Sequence, residues 1–452
     1  MIVRFFSAQE NFTAGVVGLG YVGSCVAAAL ADNGVHVIGV DTDTSLVEEL
    51  TRGHCRFSET GLPELVSRWA GSSRVRSTGD YAALSSADVV IVTVGTPIRD
   101  QGVLMDLQLK SACAELSKHI RPGQLLIFKS TVPVGTTRRL VVPLLERSGM
   151  KCGVDFGLAF CPERLSEGNA LNELRSLPIV AGGWCDDSTE AAAAFWQRSL
   201  GVEVIRCPSL ETAEMVKLAS NWWIDHNIAM ANELAQVCAM AGVDVLDVVK
   251  AANSIKKGNG HMNILLPSVG VGGSCLTKDP WMVWRSAQDG GVDLRTIPAA
   301  RAANDAMPRY TFDLIVNELA NFGKEPIDSK VAVLGLAFKN DTGDLRATPT
   351  QPVVSALREA GAEVTLFDPL VDDDEAEKTF GVRPSASIEE AVRQADCLAV
   401  LAWHRQFELL DFAELRRQVA PSCALIDGRA YYSRETIARL RQLGFVYRGI
   451  GR

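Results

Sequence analysis

One cysteine in a glycine-rich segment is the candidate reactive thiol of the chain. From Gly270 to Asp279 the sequence reads Gly-Val-Gly-Gly-Ser-Cys-Leu-Thr-Lys-Asp, and a helix is predicted to start at Cys275, with Lys278 and Asp279 close behind. A helix N-terminus and a nearby cation both lower the pKa of a thiol and raise its thiolate fraction. The other cysteines are scattered, without a CxxC pair or a zinc-like Cys/His spacing, and are expected to be small buried hydrophobes.

Two sets of polar residues have the chemistry to stabilise an oxyanion or to move protons. Glu214, Lys217 and Asn221 lie at i, i+3 and i+7 on one face of a predicted helix. Lys217 and Asn221 can together donate hydrogen bonds to a developing oxyanion, although Lys217 alone also fits a solvated helix lysine. Glu163 and Glu167 are four residues apart and would share a face if helical. They suit proton transfer, or else form an acidic pair at a helix start.

A GxGxxG motif, Gly18-Leu-Gly-Tyr-Val-Gly23, predicts a dinucleotide site. An apolar strand precedes it, a helix follows, and Asp41 lies 23 residues after Gly18. The first glycine makes the tight turn, Gly20 lets a pyrophosphate approach, and Gly23 lets helix pack on strand. Asp41 can accept hydrogen bonds from both ribose hydroxyls and would repel a 2′-phosphate, and no Arg occurs at 42–46. NAD is therefore favoured over NADP, against the alternative of a glycine turn without a ligand.

The elements that must position these residues predict an α/β fold with two doubly wound Rossmann-like domains joined by a central helical domain. The expected division is a NAD-binding domain over 1–205, a helical domain over 206–310 and a C-terminal α/β domain over 311–452. The strands and helices that carry this prediction are strands at Ala14–Gly18, His36–Val40, Val89–Val94, Leu125–Lys129, Val331–Leu334, Val364–Phe367 and Cys397–Leu401, and helices at Ser24–Asn33 and Glu211–Gly242.

The helix over Glu211–Gly242 would span roughly 45 Å. It is apolar on more than one face, so we expect it to be buried on several sides and to pack against its copy in a homodimer or higher homo-oligomer.

A weak internal repeat links the two outer parts. The segment from Val16 to Gly20 resembles that from Val333 to Ala337, and each is followed by a strand that ends in an aspartate, Asp41 or Asp368. The second copy lacks the glycines of a dinucleotide site. We therefore expect a related α/β domain with a different ligand.

Composition excludes several classes of protein. With 452 residues, 47% hydrophobic and 22% charged, the chain is typical of a soluble globular protein of about two or three domains. The net charge of −9 argues against nucleic acid as the main partner. No signal peptide and no run of membrane-spanning length is present, so a cytoplasmic protein without a membrane partner is expected. The six histidines show no metal-ligand spacing, and no metal is expected.

Several motifs in order resemble the UDP-glucose / UDP-N-acetylhexosamine 6-dehydrogenase family over nearly the whole chain. They are Gly18–Gly23, Val94-Gly95-Thr96-Pro97, Lys-Ser-Thr-Val-Pro-Val-Gly-Thr from Lys129 to Thr136, Glu-Met-Val-Lys-Leu-Ala-Ser-Asn ending at Asn221, Gly-Gly-Ser-Cys-Leu-Thr-Lys-Asp ending at Asp279, Gly335-Leu-Ala-Phe-Lys339 and Asp427-Gly-Arg429.

The resemblance implies a four-electron oxidation of carbon 6 with two NAD per substrate and Cys275 as nucleophile. An aldehyde is captured by Cys275 as a thiohemiacetal, oxidised to a thioester and hydrolysed. Lys217 and Asn221 would hold the oxyanions, Asp279 and Thr131 would position a water, and Glu163 would be the base for hydrolysis.

Binding roles follow from the same resemblance. The implied cofactor residues are Gly18, Gly20, Tyr21, Val22, Gly23, Asp41, Gly95, Thr96, Pro97, Ser130, Thr131, Glu167, Lys278 and Arg346. The implied UDP-sugar residues are Glu163, Arg164, Lys217, Asn263, Gly270, Gly272, Gly273, Phe338, Lys339 and Arg429.

Three departures bear on the substrate. Glucose-oxidising members usually carry an apolar residue where this chain has Arg164, and an aromatic residue where it has Val271. The segment Asn263-Ile-Leu is also more like the corresponding segment of the N-acetylhexosamine branch. A UDP-N-acetylhexosamine in the manno or gluco configuration is therefore expected, with UDP-glucose as the alternative. Two alternative functions fit the residues less well. A two-electron dehydrogenase would need no cysteine at the site, so Cys275 argues against it. A non-catalytic nucleotide-sugar sensor would not need to retain every reactive residue, as this chain does.

Overall fold

Buried strands rich in Val, Ile and Leu alternate with helices in both outer parts of the chain. The computed structural model describes residues 5–6, 12–258 and 260–452. The strands in chain order are β1 Thr13–Val17, β2 His36–Val40, β3 Val75–Thr78, β4 Val89–Val92, β5 Ile98–Arg99, β6 Val103–Leu104, β7 Leu125–Phe128, β8 Gly157–Phe160, β9 Ile179–Gly183, β10 Val204–Cys207, β11 Lys256–Lys257, β12 Gly260–His261, β13 Lys330–Leu334, β14 Glu363–Phe367, β15 Cys397–Val400, β16 Cys423–Asp427 and β17 Phe445–Gly449.

The α-helices in chain order are α1 Tyr21–Asp32, α2 Thr44–Thr51, α3 Leu62–Trp69, α4 Leu107–Leu116, α5 Val142–Leu145, α6 Ala170–Ser176, α7 Asp186–Leu200, α8 Leu210–Ala241, α9 Val245–Ala252, α10 Asp279–Asp289, α11 Thr296–Asn321, α12 Thr350–Glu359, α13 Asp373–Phe380, α14 Ile388–Val392, α15 Phe412–Gln418 and α16 Arg434–Gln442. No helix of the described chain is long and apolar enough to cross a membrane.

The chain divides into two compact units. The first unit comprises residues up to Ser220 together with Lys278–Asp293, and the second comprises Asn221–Thr277 and Leu294–Arg452. The predicted domain boundaries at 205/206 and 310/311 stay a prediction.

The first unit is built on an eight-stranded sheet in the order β10-β9-β8-β7-β4-β1-β2-β3. Its pairs are parallel except β8 with β9. Alternate residues point to opposite faces, so Val16 and Ile91 belong to one buried cluster and Val17 and Val92 to the other. The strand order reverses between β1 and β4, where doubly wound sheets bind ligands at the carboxyl ends of their strands.

The second unit contains a five-stranded parallel sheet in the order β14-β13-β15-β16-β17. The predicted strands are present, with ends shifted by one or two residues. In several strands the last one or two predicted residues no longer pair with the neighbouring strand, because they belong to the loop at the carboxyl edge of the sheet. The predicted α/β fold with two Rossmann-like parts and a helical region between them is confirmed.

Helix α8 spans 32 residues, as the proline-free sequence predicts. At 1.5 Å per residue it is about 48 Å long. It ends where Gly242 adopts a left-handed conformation (φ +68°), which terminates helices because glycine has no Cβ to clash.

Candidate active site

The glycine turn after β1 has the geometry that each glycine was predicted to provide. Gly18 has φ +86°, and a Cβ on it would lie 3.1 Å from the carbonyl carbon of Thr93. A Cβ on Gly23 would lie 1.8 Å from the carbonyl oxygen of Gly18, so only glycine lets α1 approach the turn this closely. Helix α1 starts at Tyr21 rather than Ser24, because Gly20 is its N-cap.

The N-terminus of α1 fits a pyrophosphate. No side chain caps it, and nothing lies within 4 Å of a Cβ placed on Gly20. Backbone N–H groups at the positive end of the helix are thus approachable by an anion.

Asp41 lies at the end of β2 beside this turn. Its Oδ2 accepts a hydrogen bond of 2.6 Å from the Leu19 N–H and its Oδ1 one of 2.9 Å from the Asp43 N–H. A cavity of about 460 Å³ opens beside it, lined by Gly18, Gly20, Asp41, Thr42, Tyr81, Thr93, Val94, Gly95, Leu107, Gln108, Ser111 and Ala112. The cavity thus brings together Asp41, the glycine turn and Gly95, and their role in binding NAD stays a prediction.

The loops after β4 and β7 meet at the same edge of the sheet. The Ser130 hydroxyl donates to the Val94 carbonyl at 2.7 Å. This contact joins the segment that carries Ser130 and Thr131 to the segment that carries Gly95, Thr96 and Pro97. Thr96 is buried and Thr131 is half-buried.

Tyr21 has a partner that sequence reasoning missed. Its hydroxyl donates to the buried carboxylate of Glu59, which also accepts a hydrogen bond of 2.7 Å from the Gly168 N–H. Burial and the Glu59 contact raise the pKa of Tyr21 well above its usual range. Val22 packs against the neighbouring apolar core, and Glu167 directly precedes Gly168.

Lys217 is a buried cation rather than a solvated helix lysine. It is 4% exposed, and its Nζ lies 3.7 Å from Oε2 of Glu163. Asn221, one turn further along α8, is also buried. A buried lysine beside a carboxylate and one turn from an amide suits stabilisation of an oxyanion.

The conditional prediction that Glu163 and Glu167 share a helical face is wrong. Residues 161–166 have no helical structure, and Glu163 instead accepts a hydrogen bond from the Leu165 N–H. Pro162 has no N–H to donate, and the Glu163 side chain satisfies the backbone locally, which competes with helix formation.

Two buried charged side chains hold the surrounding loops through contacts that the sequence did not predict. The Lys129 Nζ donates to the Cys161 carbonyl at 3.2 Å, and burial lowers the pKa of Lys129. Glu214 accepts from the N–H groups of Gly135 and Thr137, and burial raises its pKa. These contacts anchor the segment that carries Ser130 and Thr131.

Asp279 is fully buried, and its carboxylate accepts from the Lys278 Nζ at 2.5 Å. It is the first residue of α10, where a carboxylate interacts favourably with the helix dipole and where Pro280 is tolerated. Cys275 therefore lies in the turn that precedes α10, four residues before the helix, rather than at the helix start that was predicted. Lys278 and Asp279 form an ion pair next to each other in sequence.

Cys275, in the second unit, is the one exposed cysteine of the eleven, all of which the structure describes. Burial raises the pKa of Cys161 to about 11 and that of Cys113 to about 12, so these thiols stay protonated. The expectation that the other cysteines are mostly buried hydrophobes is confirmed.

The glycine loop before Cys275 packs on Phe338. A Cβ on Gly272 would lie 2.6 Å from Cβ of Phe338, and one on Gly273 would lie 2.7 Å from its ring. Gly273 N–H also donates to the Arg346 carbonyl at 3.0 Å. The structure thus brings the cysteine loop and Phe338 together within one unit.

Arg429 extends this group. Its guanidinium donates to the carbonyls of Phe338, at 2.5 Å, and Leu401, at 3.2 Å, and burial lowers its pKa. Lys339 is half-buried next to Phe338, whereas the Arg346 guanidinium pairs with Asp344.

Asn263 and Arg164 occupy different settings. Two asparagines, Asn227 and Asn253, bind the backbone of the 263–265 segment, while the Asn263 side chain is exposed. Arg164, in the first unit, is half-buried and donates to the Pro178 carbonyl at 2.5 Å. Arg164 thus belongs to the first unit, whereas Asn263, Cys275 and Phe338 belong to the second.

The second Rossmann-like part has a matching aspartate, Asp368, but groups of the protein itself occupy the carboxylate of this residue. Asp368 accepts from the Leu336 N–H at 2.6 Å and the Leu370 N–H at 2.9 Å, as Asp41 does in its own turn. Nε2 of the fully buried His404 lies 2.9 Å from the same Asp368 carboxylate. A ribose therefore cannot use this aspartate as it can use Asp41. Among the described residues no group of three His, Cys, Asp or Glu side chains could hold a metal ion.

Comparison with known proteins places all three parts in one family. The UDP-glucose/GDP-mannose dehydrogenase family matches through its NAD-binding domain at residues 13–199, its central domain at 211–306 and its UDP-binding domain at 332–434.

Relatives with more than one substrate name are similar to the chain. A UDP-N-acetyl-D-mannosamine dehydrogenase of Methanococcus maripaludis is 32% identical, with 87% of each chain covered. A UDP-glucose 6-dehydrogenase of Haloferax volcanii is 32% identical over 93% of this chain and 97% of its own. The structure of a UDP-D-ManNAc dehydrogenase from Pyrococcus horikoshii superimposes with a TM-score of 0.86 at 29% identity, covering 97% of this chain and 99% of the other.

Proposed function

The chain belongs to the UDP-glucose/GDP-mannose dehydrogenase family, and we propose that it oxidises the carbon-6 alcohol of a UDP-sugar to the carboxylate with NAD as hydride acceptor. The observation that carries this proposal is the setting of Cys275. It is the exposed cysteine, on a glycine loop closed against Phe338. A thiol presented in this way suits covalent capture of an aldehyde, a step that a two-electron dehydrogenase does not need.

The Cys275 thiolate is proposed to allow the second oxidation, from the aldehyde to the carboxylate. After the first oxidation the thiolate attacks carbon 6, forming a C–S bond and a thiohemiacetal oxyanion. Loss of a hydride from that carbon gives a thioester, and water then breaks the C–S bond to release the carboxylate and the thiol. NAD, when bound, accepts one hydride in each oxidation, so two NAD are reduced per sugar.

The charged residues have roles that follow from their burial. The Lys217 ammonium and the Asn221 amide donate hydrogen bonds to the oxyanions of both steps, because negative charge there is costly without a donor. Asp279 and Thr131 hold a water that takes part in proton transfer. Glu163, whose carboxylate lies 3.7 Å from Lys217, removes a proton from the water that hydrolyses the thioester.

The first unit is proposed to bind NAD. The N-terminus of α1, with Tyr21 and Val22 after the glycine turn, takes the pyrophosphate, and Asp41 accepts from the ribose hydroxyls. The remaining proposed cofactor residues of this unit are Gly95, Thr96, Pro97, Ser130, Thr131, Glu167 and Lys278, and the second unit is proposed to contribute Arg346.

The second unit is proposed to bind the nucleotide half of the substrate. Phe338 offers a ring face, and Lys339 and Arg429 offer positive charge beside it. The backbone of the 263–273 loop, including Asn263, Gly270, Gly272 and Gly273, completes the site.

The substrate is proposed to be a UDP-N-acetylhexosamine, UDP-N-acetylmannosamine or UDP-N-acetylglucosamine, in preference to UDP-glucose. The first of these agrees with the names of several relatives. Val271 gives more room near the cysteine than an aromatic residue would, and Arg164 or Asn263 supplies a donor for the acetamido carbonyl. A site with such a donor disfavours a plain hydroxyl by about 1–3 kcal/mol, because the donor is left unpaired.

The experiment is a spectrophotometric assay at 340 nm with all three UDP-sugars on one preparation. We expect the highest kcat/KM with an N-acetylated substrate and two NADH per sugar at completion. A tenfold advantage for UDP-glucose would instead identify the chain as a UDP-glucose dehydrogenase. One NADH per sugar would contradict the four-electron reaction.

We also propose a homodimer formed through α8. Trp223, Met230 and Val237 are 50%, 42% and 56% exposed and follow one another at intervals of seven residues. Such a spacing places the three side chains on one stripe of the helix. A long apolar stripe on a helix surface is the kind of face that a second copy would cover.

A further inference from the structure

We propose that an apolar cavity beneath the glycine turn of the first unit binds a small amphipathic acid, an apolar ring or short chain with one anionic group. The cavity measures about 410 Å³ and lies among α1, α2, α3, β2 and β3. Small-ligand sites are typically cavities of roughly 300–1,000 Å³ with apolar walls and a few polar groups. The inference does not depend on which sugar the protein oxidises.

Small residues create this space. Ala27 and Ala28 of α1, Gly39 of β2 and the glycine and serines of 71–73 face it, so no large side chain fills it. Protein interiors are otherwise packed nearly as densely as organic crystals, with few voids larger than a water molecule. A space of this size with apolar walls is therefore suited to a ligand rather than to ordered water, which needs two to four polar partners.

The wall of the cavity is apolar over most of its surface. Leu50 of α2 and Leu65, Val66 and Trp69 of α3 supply large side chains. An apolar ring or chain would bury itself against them, gaining roughly 25 cal/mol per Å² of apolar surface removed from water.

The polar groups that remain available to a ligand are Nε1 of Trp69, a buried donor with no hydrogen-bond partner among the described residues, and Arg76 of β3. The hydroxyls of Ser24, Thr51 and Ser72 already donate to the carbonyls of other residues in the unit, at 2.6–2.7 Å. Arg76, by contrast, is exposed, lines the cavity and forms no ion pair with any described residue. A carboxylate or sulfonate on the ligand would complement its charge.

The cavity shares a residue with the dinucleotide site. Leu19 lines it, and the Leu19 N–H is the group that donates to Asp41 at 2.6 Å. A Cβ on Gly39 would lie 2.8 Å from the Leu19 side chain, so Leu19 is closely packed from the β2 side. A ligand that presses on Leu19 from the cavity will change the turn that holds Asp41. Occupancy of the cavity and NAD affinity are therefore coupled, and linkage requires the effect to be reciprocal.

The test uses 8-anilinonaphthalene-1-sulfonate as the probe and the full chain with NAD present at saturation. Saturating NAD keeps the probe out of the cofactor site. We expect the probe to bind with enhanced fluorescence and its Kd to differ by at least about twofold with and without NAD, as coupling demands. A probe that NAD displaces competitively, or one that does not bind at all up to millimolar concentration, would overturn the proposal. An identical Kd with and without NAD would overturn the coupling.

Three variants locate the probe. Ala28→Leu fills the cavity and should weaken probe binding by about tenfold or more, with an unchanged or higher Tm because it fills existing space. Arg76→Met should weaken binding by about threefold, since one exposed charge pair is lost. Arg74→Met is the matched control, because Arg74 has the same charge two residues away but is not part of the cavity wall and donates to the Gly34 carbonyl.

Two results would place the probe elsewhere. Equal losses in Arg76→Met and Arg74→Met would indicate a non-specific charge effect and contradict the site. Unchanged binding in a folded Ala28→Leu protein would do the same. If Ala28→Leu fails to fold, the two arginine variants alone decide the question.

Discussion

At the scale of single residues, burial distinguishes the reactive groups from ordinary ones. Lys217 is an internal lysine next to a carboxylate, although its sequence position equally fits a solvated helix face. A charge taken out of water is retained where it meets an opposite charge, and this one is proposed to stabilise a transient oxyanion as well.

Lys217→Ala should lower kcat by roughly a hundredfold or more, because the donor acts when negative charge develops. The Kd of NAD should change little, since the glycine turn and Asp41 remain intact. Steady-state kinetics with NAD binding by fluorescence checks both. Lys250→Ala, an exposed lysine on α9, is the control and should leave both values unchanged. A change confined to KM for the sugar would make Lys217 a binding residue instead.

The residues that sequence reasoning found and missed differ in one physical respect. Gly18, Gly23 and Asp41 were predictable because they belong to a sequence motif of fixed spacing within one βαβ unit. Glu59 and Lys129 were not, since their partners lie 32 or more residues away in the sequence and only the fold brings them together.

At the scale of elements, a chain of buried polar side chains in the second unit ties α8 and α11 to the loop that leads to Cys275. Asp225 of α8 binds Arg301 and Asn304 of α11, at 2.7 and 2.8 Å. Oδ1 of Asn304 in turn accepts from the side-chain amide of Asn232, and Oδ1 of Asn232 accepts from the Ser268 N–H at 2.8 Å. Buried groups of this kind hold a loop in one position because each would otherwise be unsatisfied.

Asn232→Leu should lower the free energy of unfolding by about 1–3 kcal/mol, because it leaves the Ser268 N–H and Asn304 without their partner. Loss of the Ser268 contact should also loosen the cysteine loop and raise KM for the sugar. Thermal unfolding and kinetics measure the two effects. The control is Asn321→Leu at the exposed end of α11, which should change stability by less than about 0.5 kcal/mol. Equal effects of the two variants would argue against the buried chain as a support for the loop.

The long helix and the two sheets were largely predictable, whereas the segment after β8 was not. A 32-residue stretch without proline and strands of Val, Ile and Leu carry strong local signals. Residues 161–166 carry weak ones, because their conformation depends on side-chain contacts such as that between Glu163 and the Leu165 N–H. The start of α10 at Asp279 rather than at Cys275, by contrast, has a signal in the local sequence, because Pro280 is favoured in the first turn of a helix.

At the scale of the whole molecule, the proposed dimer explains why α8 is apolar on more than one face. Ala231, Ala235 and Cys238 are buried within the second unit, while Trp223, Met230 and Val237 remain exposed on another side. A single copy leaves this second face in water.

Met230→Glu should therefore shift the protein from dimer to monomer, because a carboxylate buried at the centre of the stripe is costly to desolvate. Light scattering at micromolar concentration measures the mass. His261→Glu, an exposed substitution on β12, serves as the control and should leave the dimer intact. A wild-type protein that is already monomeric would contradict the proposed assembly.

The thiol of Cys275 is proposed to carry the sugar from the aldehyde to the acid. Carboxylate formation by Cys275→Ala, with saturating NAD and the preferred UDP-sugar, tests this role most directly. We expect a rate lower than that of the wild type by several orders of magnitude, because a covalent nucleophile is lost, and an unchanged affinity for NAD. Acid formation at a tenth of the wild-type rate would contradict the covalent mechanism.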